Sequence, residues 1–231
     1  MICLTLSSPT LALCLEEIRK NREYIQMAEL RVDLLDEEEQ KRASLFPSMT
    51  DVPVILTLRR KCDGGKCTLS ERQRRSLLLD ALDGDFAYVD IEEDIKRSEV
   101  EQKARERGVK IIRSFHDFTG MPDDIYSRIY KLAERGDVAK AAVTPHSIAD
   151  LMTLFRIADE LRDVPKIIIG MGEWGMPLRI LYRKAGSMLT FASSGSEVAP
   201  GQLTAEKLSV LYRADKVDDK TAIYGIIGNP V

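Results

Sequence analysis

The chain has 231 residues, 44% of them hydrophobic, with 34 basic against 37 acidic side chains and a net charge of −3. This suits a soluble globular chain with a full core, and without a basic cluster interleaved with aromatics it excludes nucleic acid as the main ligand. No apolar run reaches the ~20 residues of a membrane span and Met1-Ile-Cys-Leu-Thr-Leu is too short and uncharged for a signal peptide, so no membrane partner and a cytoplasmic location are expected.

In chain order, 2–6 reads as a short apolar strand, and 9–24 as a charged helix with Leu11, Leu15 and Ile18 inward. The second strand, 28–35, alternates: Leu30, Val32 and Leu34 share one face, and Glu29, Arg31 and Asp33 share the other. Three charges facing the interior of a parallel barrel need partners or a ligand. The third strand, 51–60, ends in two arginines and the turn Asp63-Gly64-Gly65, and Thr68-Leu-Ser-Glu71 reads as a capping box for a helix with Leu78, Ala81 and Leu82 inward.

The fourth strand is 86–92, followed by a charged helix that stops at Gly108. The fifth is 109–117, with His116 just past its end, and 137–145 is the sixth. Ser147 caps a helix whose expected stripe is Ile148, Leu151, Met152, Phe155 and Ala158, and strands seven and eight are 166–170 and 187–193. A helix over 204–213 follows. Eight strand signals alternating with helices every 25 to 30 residues or so describe an α/β chain of the (β/α)8 TIM barrel class. A doubly wound sheet would show a Gly-rich phosphate turn after its first strand, and Leu6-Ser-Ser-Pro-Thr10 is not one.

Cys3, Cys14, Cys62 and Cys67 are few, and the one close pair, Cys62 and Cys67, lacks the second Cys/His pair of a zinc site because the two histidines are His116 and His146. Reduced thiols and no metal are expected. Lys140 is the odd residue of the sixth strand. An ammonium buried there is unfavourable unless paired or neutral, and a neutral amine is a nucleophile; the alternative is a lysine at a fraying strand end that reaches water. A barrel puts its chemistry at the C-terminal strand ends, where Glu29, Arg31, Arg59, Asp63, His116, Lys140, Arg179 and Gln202 all fall.

Glu29-x-Arg31-x-Asp33, Thr57-x-Arg59, Gly64-Gly65, Ser114-Phe-His116-Asp-Phe118, Lys140-x-x-Val143-x-Pro145, Met171-Gly172, Arg179 and Ala199-Pro-Gly-Gln202 stand in one order over residues 1 to 212. This set resembles the type I 3-dehydroquinate dehydratases. The resemblance implies a Schiff-base dehydration of 3-dehydroquinate to 3-dehydroshikimate in the shikimate pathway, with 3-dehydroquinate as small-molecule partner and no cofactor, metal or nucleotide. It gives Lys140 the part of the lysine that condenses with the ketone, His116 that of the general base, and Asp63 that of an acidic residue orienting the histidine, in place of the usual glutamate. Arg179 takes the part of a carboxylate clamp, Glu29, Arg31 and Arg59 hold hydroxyls, and Gln202 belongs to a closing loop. Val198 stands where the family commonly has serine, which leaves Gln202 one polar contact fewer.

The expected domains are 1–213, the dehydratase barrel, and 214–231, a polar linker and the first strand of a second domain resembling the opening of shikimate dehydrogenase, covalently fused in some relatives; a simple terminal strand or tail is the other reading. A homodimer is the remaining expected partner. Two further readings of function are another Schiff-base barrel enzyme, such as a class I aldolase, and an inactive barrel serving as a scaffold. Arg179 and the lack of a Gly-rich phosphate loop speak against the first, and Lys140 with His116 against the second.

Overall fold

The computed structural model describes residues 1–95, 98–195, 198–218, 220–225 and 228. Eight parallel strands run in the order β7-β6-β5-β4-β3-β2-β1-β8: β1 (Ile2–Leu6), β2 (Met27–Arg31), β3 (Val54–Thr57), β4 (Tyr88–Glu92), β5 (Lys110–Asp117), β6 (Val138–Val143), β7 (Lys166–Gly170) and β8 (Thr190–Ala192). The ring closes between β7 and β8 through one parallel bridge, Lys166 to Ser187. It is reinforced by Met188 N donating to the Lys166 carbonyl and Ile168 N donating to Ser187 Oγ. The result is the expected (β/α)8 barrel.

The helices are α1 (Leu11–Asn21), the single turn α2 (Glu37–Gln40), α3 (Glu71–Ala81), α4 (Glu99–Glu106), α5 (Ile125–Ala133), α6 (Ile148–Glu160) and α7 (Gly172–Ile180). Strand alternation explains both sides of the wall. Ala139, Ala141 and Val143 of β6 point outward and pack with Ile129 and Leu132 of α5 and Leu154 of α6. Inward, Ile112, Val138 and Ile167 meet Cys3, Met27, Ile55 and Leu189 as an apolar floor. Fully burying such a side chain contributes about 1.5–3 kcal/mol, which sets the scaffold against which the charged upper layer is held.

Four local expectations change. Helix α3 is capped one residue pair later: Ser70 Oγ accepts from Gln73 N, and Gln73 Oε1 accepts from Ser70 N, so the box is Ser70/Gln73 and not Thr68/Glu71. The buried stripe of α6 is Leu151, Leu154, Ile157 and Ala158, while Ile148 and Met152 are 63% and 59% exposed. Ser147 fixes the helix start, so Ile148 occupies the first turn, and the buried face begins at Leu151. Strand β2 stops at Arg31 and turns into a 3-10 turn, Val32–Leu34, because Asp33 accepts from Arg31 and from the backbone of Arg59 and Lys66. His116 lies inside β5, paired with Ala142, not past its end.

The 204–213 helix contains a π-helical stretch, Lys207–Leu211, with Tyr212 N bonded to the Lys207 carbonyl. Beyond it Ala214 is buried, and Lys184 Nζ donates to the Thr221 carbonyl at 3.0 Å. Residues 221–225 have no regular secondary structure, and the rest of the expected final strand, apart from residue 228, lies outside the described residues. No helix among the described residues is long and apolar enough to cross a membrane.

Candidate active site

Lys140 sits at the centre of β6, in register with Ser114 of β5 and Ile167 of β7, and is 4% exposed. That burial rules out the reading in which it reaches water. Its Nζ lies 2.8 Å from Asp90 Oδ2, 3.9 Å from Glu29 Oε1 and 4.4 Å from the centre of the Phe191 ring. The sequence did not tell which counter-charge meets this amine, and the structure supplies two carboxylates.

Asp90 also meets Arg59 Nη2 at 2.8 Å and accepts a hydrogen bond from the Ser114 hydroxyl. Burial alone would raise its carboxyl, but Arg59 first, then Lys140 and His116, outweigh this and hold it well below the usual carboxylate range. Asp90 therefore stays an anion and acts as a counter-charge, not as an acceptor for the lysine proton. Arg59 continues outward: its Nη1 donates to Glu92 Oε1 at 3.0 Å and to Ser114 Oγ at 3.2 Å. On the neighbouring strand Arg31 forms a fork with Asp33 at 2.8 and 2.7 Å, and Glu29 accepts from Thr5 Oγ1 at 3.1 Å and Thr57 Oγ1 at 2.9 Å.

His116 projects inward beside this layer, stacked on Phe118 with ring centres 6.3 Å apart and planes at 13°. Its Nδ1 is buried with no hydrogen-bond partner among the described residues. Burial, then the Arg59 and Lys140 cations, push the imidazole well below its ordinary value, against the upward pull of Asp90. The resting ring is neutral, the form that accepts a proton.

The expected contact from Asp63 to His116 is not made. Asp63 Oδ2 accepts from Arg60 Nε at 2.6 Å, and the same guanidinium holds Asp94 with two bonds of 2.8 and 2.9 Å. The shorter side chain is anchored by its own loop. That loop crosses the strand end closely: a Cβ on Gly65 would lie 2.1 Å from the Arg59 carbonyl oxygen, and Gly64, at φ +78°, lies against the Phe118 ring.

On the other side of the mouth, Arg179 of α7 is buried and its Nη2 donates to the Pro200 carbonyl at 3.1 Å. Gln202 is clamped as well: its Oε1 accepts from Val198 N at 3.0 Å and its Nε2 donates to Thr5 Oγ1 at 3.2 Å. The backbone at Val198 thus makes a polar contact that its side chain cannot.

All eight residues singled out in the sequence, Glu29, Arg31, Arg59, Asp63, His116, Lys140, Arg179 and Gln202, line one cavity of about 570 Å³, its open mouth included. Asp63 reaches it only as a rim residue held by Arg60. Sequence reasoning gave no role to Asp90, Glu92 and Thr5, nor to Ser114, which it quoted only as part of the run leading to His116. The signal was present for the first two, since the alternation of Tyr88-Val-Asp-Ile-Glu92 puts Asp90 and Glu92 on one face, as it does Glu29 and Arg31 in β2. Chemically, the cavity joins a buried primary amine, a neutral imidazole and guanidinium groups suited to a carboxylate.

The sequence profile described as Type I 3-dehydroquinase matches residues 2–219. The chain is 34% identical over 220 residues to a 3-dehydroquinate dehydratase of Methanococcus maripaludis strain S2, covering 92% of this chain and 99% of that one. It is 31% identical over 243 aligned positions to the chloroplastic bifunctional 3-dehydroquinate dehydratase/shikimate dehydrogenase of Arabidopsis thaliana, covering all of this chain and 40% of that one. The fold superposes on the crystal structure of 3-dehydroquinate dehydratase from Geobacillus kaustophilus with a TM-score of 0.83 and 26% identity, over 92% of this chain and 89% of that one.

Proposed function

The chain belongs to the type I 3-dehydroquinase family, and from that premise we propose the parts its side chains take in the reaction. It is a hydro-lyase that dehydrates 3-dehydroquinate to 3-dehydroshikimate in the shikimate pathway. The observation that carries the assignment of roles is the cavity shared by the Lys140 amine, the His116 imidazole and the Arg179 guanidinium.

Arg179 takes the substrate carboxylate, while Glu29, Arg31 and Arg59 hold its hydroxyls and Gln202 closes over it. Lys140 Nζ attacks the ketone carbon, and the proton it sheds in doing so leaves with the carbinolamine hydroxyl as water, so that an iminium remains. His116 removes the proton from the adjacent carbon, and the electron pair of that C–H bond flows into the iminium to give an enamine. The enamine pushes out the neighbouring hydroxyl, which leaves as water with the proton that His116 carried. Hydrolysis of the iminium takes up one water and frees Lys140, which offsets the water released on condensation, so one water is lost overall. Asp90 and Glu29 stabilise the cationic nitrogen throughout, since both lie within 4 Å of Nζ. Asp63 acts from the rim, through the loop it anchors.

The test is borohydride reduction with 3-dehydroquinate, followed by mass spectrometry of the intact chain and its peptides. The expected result is an adduct on Lys140 and none in Lys140→Ala. Labelling at another residue, or no labelling of the wild type, would overturn the assignment.

Three coarser features belong to the same proposal. Residues 1–213 form the dehydratase domain and 214–231 begin a shikimate dehydrogenase-like domain; the fused Arabidopsis thaliana relative supports this. A homodimer would cover exposed apolar side chains such as Ile148 and Met152, which gel filtration tests. A cytoplasmic setting suits four free thiols.

A further inference from the structure

We propose that Arg74, on helix α3 outside the barrel, is a positioning residue for the reactive lysine, acting through Glu92, Arg59 and Asp90. This rests on the reading of Lys140 as the nucleophile. Arg74 is 2% exposed although it belongs to a surface helix. Its Nη2 reaches through the wall to pair with Glu92 Oε2, its Nη1 donates to Glu71 Oε1 at 3.0 Å, and its Nε donates to the Leu58 carbonyl at 3.1 Å.

The contacts continue inward with alternating sign. Glu92 Oε1 takes Arg59 Nη1 at 3.0 Å, Arg59 Nη2 takes Asp90 Oδ2 at 2.8 Å, and that oxygen takes Lys140 Nζ at 2.8 Å. Every member of the row is at most 4% exposed, so water screens none of these interactions and each charge is placed by its neighbours. Two contacts make Arg74 more than a fastener of α3. Leu58 directly precedes Arg59 in the chain, and Glu92 is the counter-ion of Arg59. One guanidinium therefore fixes both the backbone that carries Arg59 and the carboxylate that orients its head.

Without Arg74, Glu92 keeps a single cation, and Arg59 is drawn toward it and away from Asp90. Asp90 then holds Lys140 without its second partner, and the amine leaves the line of attack. A displacement of about 1 Å at a reacting group costs up to 100-fold in rate. Because Arg74 touches no substrate, the loss falls on kcat.

The experiment compares wild type, Arg74→Gln and Arg74→Lys in steady-state turnover of 3-dehydroquinate, in the rate of borohydride trapping, and in thermal melting. In Arg74→Gln, kcat is expected to fall about 10- to 100-fold with KM within about threefold of wild type, and trapping to slow in parallel. Arg74→Lys, which keeps a charge for Glu92 but lacks the fork for the Leu58 carbonyl, should recover part of the loss. A folded Arg74→Gln with wild-type kcat, or one with a lower Tm alone, would overturn the proposal. If Arg74→Gln does not fold, Arg74→Lys decides: a reduced kcat supports the relay and a wild-type kcat refutes it. Failure to trap the wild type would count against Lys140 as nucleophile, not against the relay.

Discussion

Replacing Asp90 with asparagine tests the charged layer most directly. The side chain keeps its shape, but Lys140 Nζ and Arg59 Nη2, both 2.8 Å away, lose the anion between them. Glu92 still serves Arg59 at 3.0 Å, whereas Lys140 retains only Glu29 at 3.9 Å. Removing one partner of a buried ion pair costs about 3–5 kcal/mol. In a chain of this size each kcal/mol moves Tm by about 2–4 °C, so Asp90→Asn should melt roughly 6–20 °C lower near neutral pH. The sign with pH follows from the carboxyl. It is held below its ordinary 3.8, so its contribution is fully present above that value and is lost only as pH falls further. The gap between the two proteins should be constant from neutrality down to about pH 5 and narrow only in stronger acid. Calorimetry in matched buffers reads this directly. A Tm within about 2 °C of wild type near neutrality would refute the account of Asp90 as the counter-charge that keeps the layer together.

Three further outcomes follow from the site. His116→Ala should still form the trapped adduct but turn over about 10²- to 10⁴-fold more slowly; in the wild type, the acid limb of kcat/KM from this ring should lie below 6.5, because burial and the flanking cations depress it, and a limb at 6.5 or above that vanishes in the variant would contradict this. Asp63→Asn should lose roughly fivefold in activity at most, since its partly exposed pair with Arg60 contributes about 1 kcal/mol or less; a collapse as deep as that of His116→Ala, measured side by side, would restore Asp63 to the histidine. Gly65→Ala places a methyl 2.1 Å from the Arg59 carbonyl oxygen, so the loop must shift and carry Arg59 with it; turnover should fall sharply, and wild-type kinetics would show the loop to be slack.

Much of the barrel could be read from periodicity, because strands buried on both faces leave apolar runs that few other elements produce. β7 matches its expected bounds, and Lys140 stands out in β6 as the one long cation among small residues. What stayed hidden depended on contacts across strands. Asp90 lies 50 residues from Lys140 in the chain, and nothing local in Tyr88-Val-Asp-Ile-Glu92 tells which anion meets which cation. Arg74 and Glu92, 18 residues apart on a helix and a strand, were hidden in the same way, whereas Asp63 and Arg60 are only three apart and their pairing was open to a local reading. The α6 stripe shifted because hydrophobicity alone does not say which apolar residues a sheet covers; Leu154 is fully buried while Met152 faces out. The cap of α3 moved because two overlapping Ser/Thr-x-x-Glu/Gln patterns compete, and the later one leaves Arg74 aligned with the wall.

The junction between β1 and β8 also bears on how the molecule is made. Met1 N donates to the Met188 carbonyl and Thr190 N to the Met1 carbonyl, so the ring is fastened by residues at opposite ends of the barrel sequence. A ribosome adding ~5–20 residues per second needs on the order of ten to forty seconds to deliver the last strand after the first. During that interval one edge of β1 has no neighbour and offers its backbone to any passing strand, which makes the nascent barrel a natural client for chaperones.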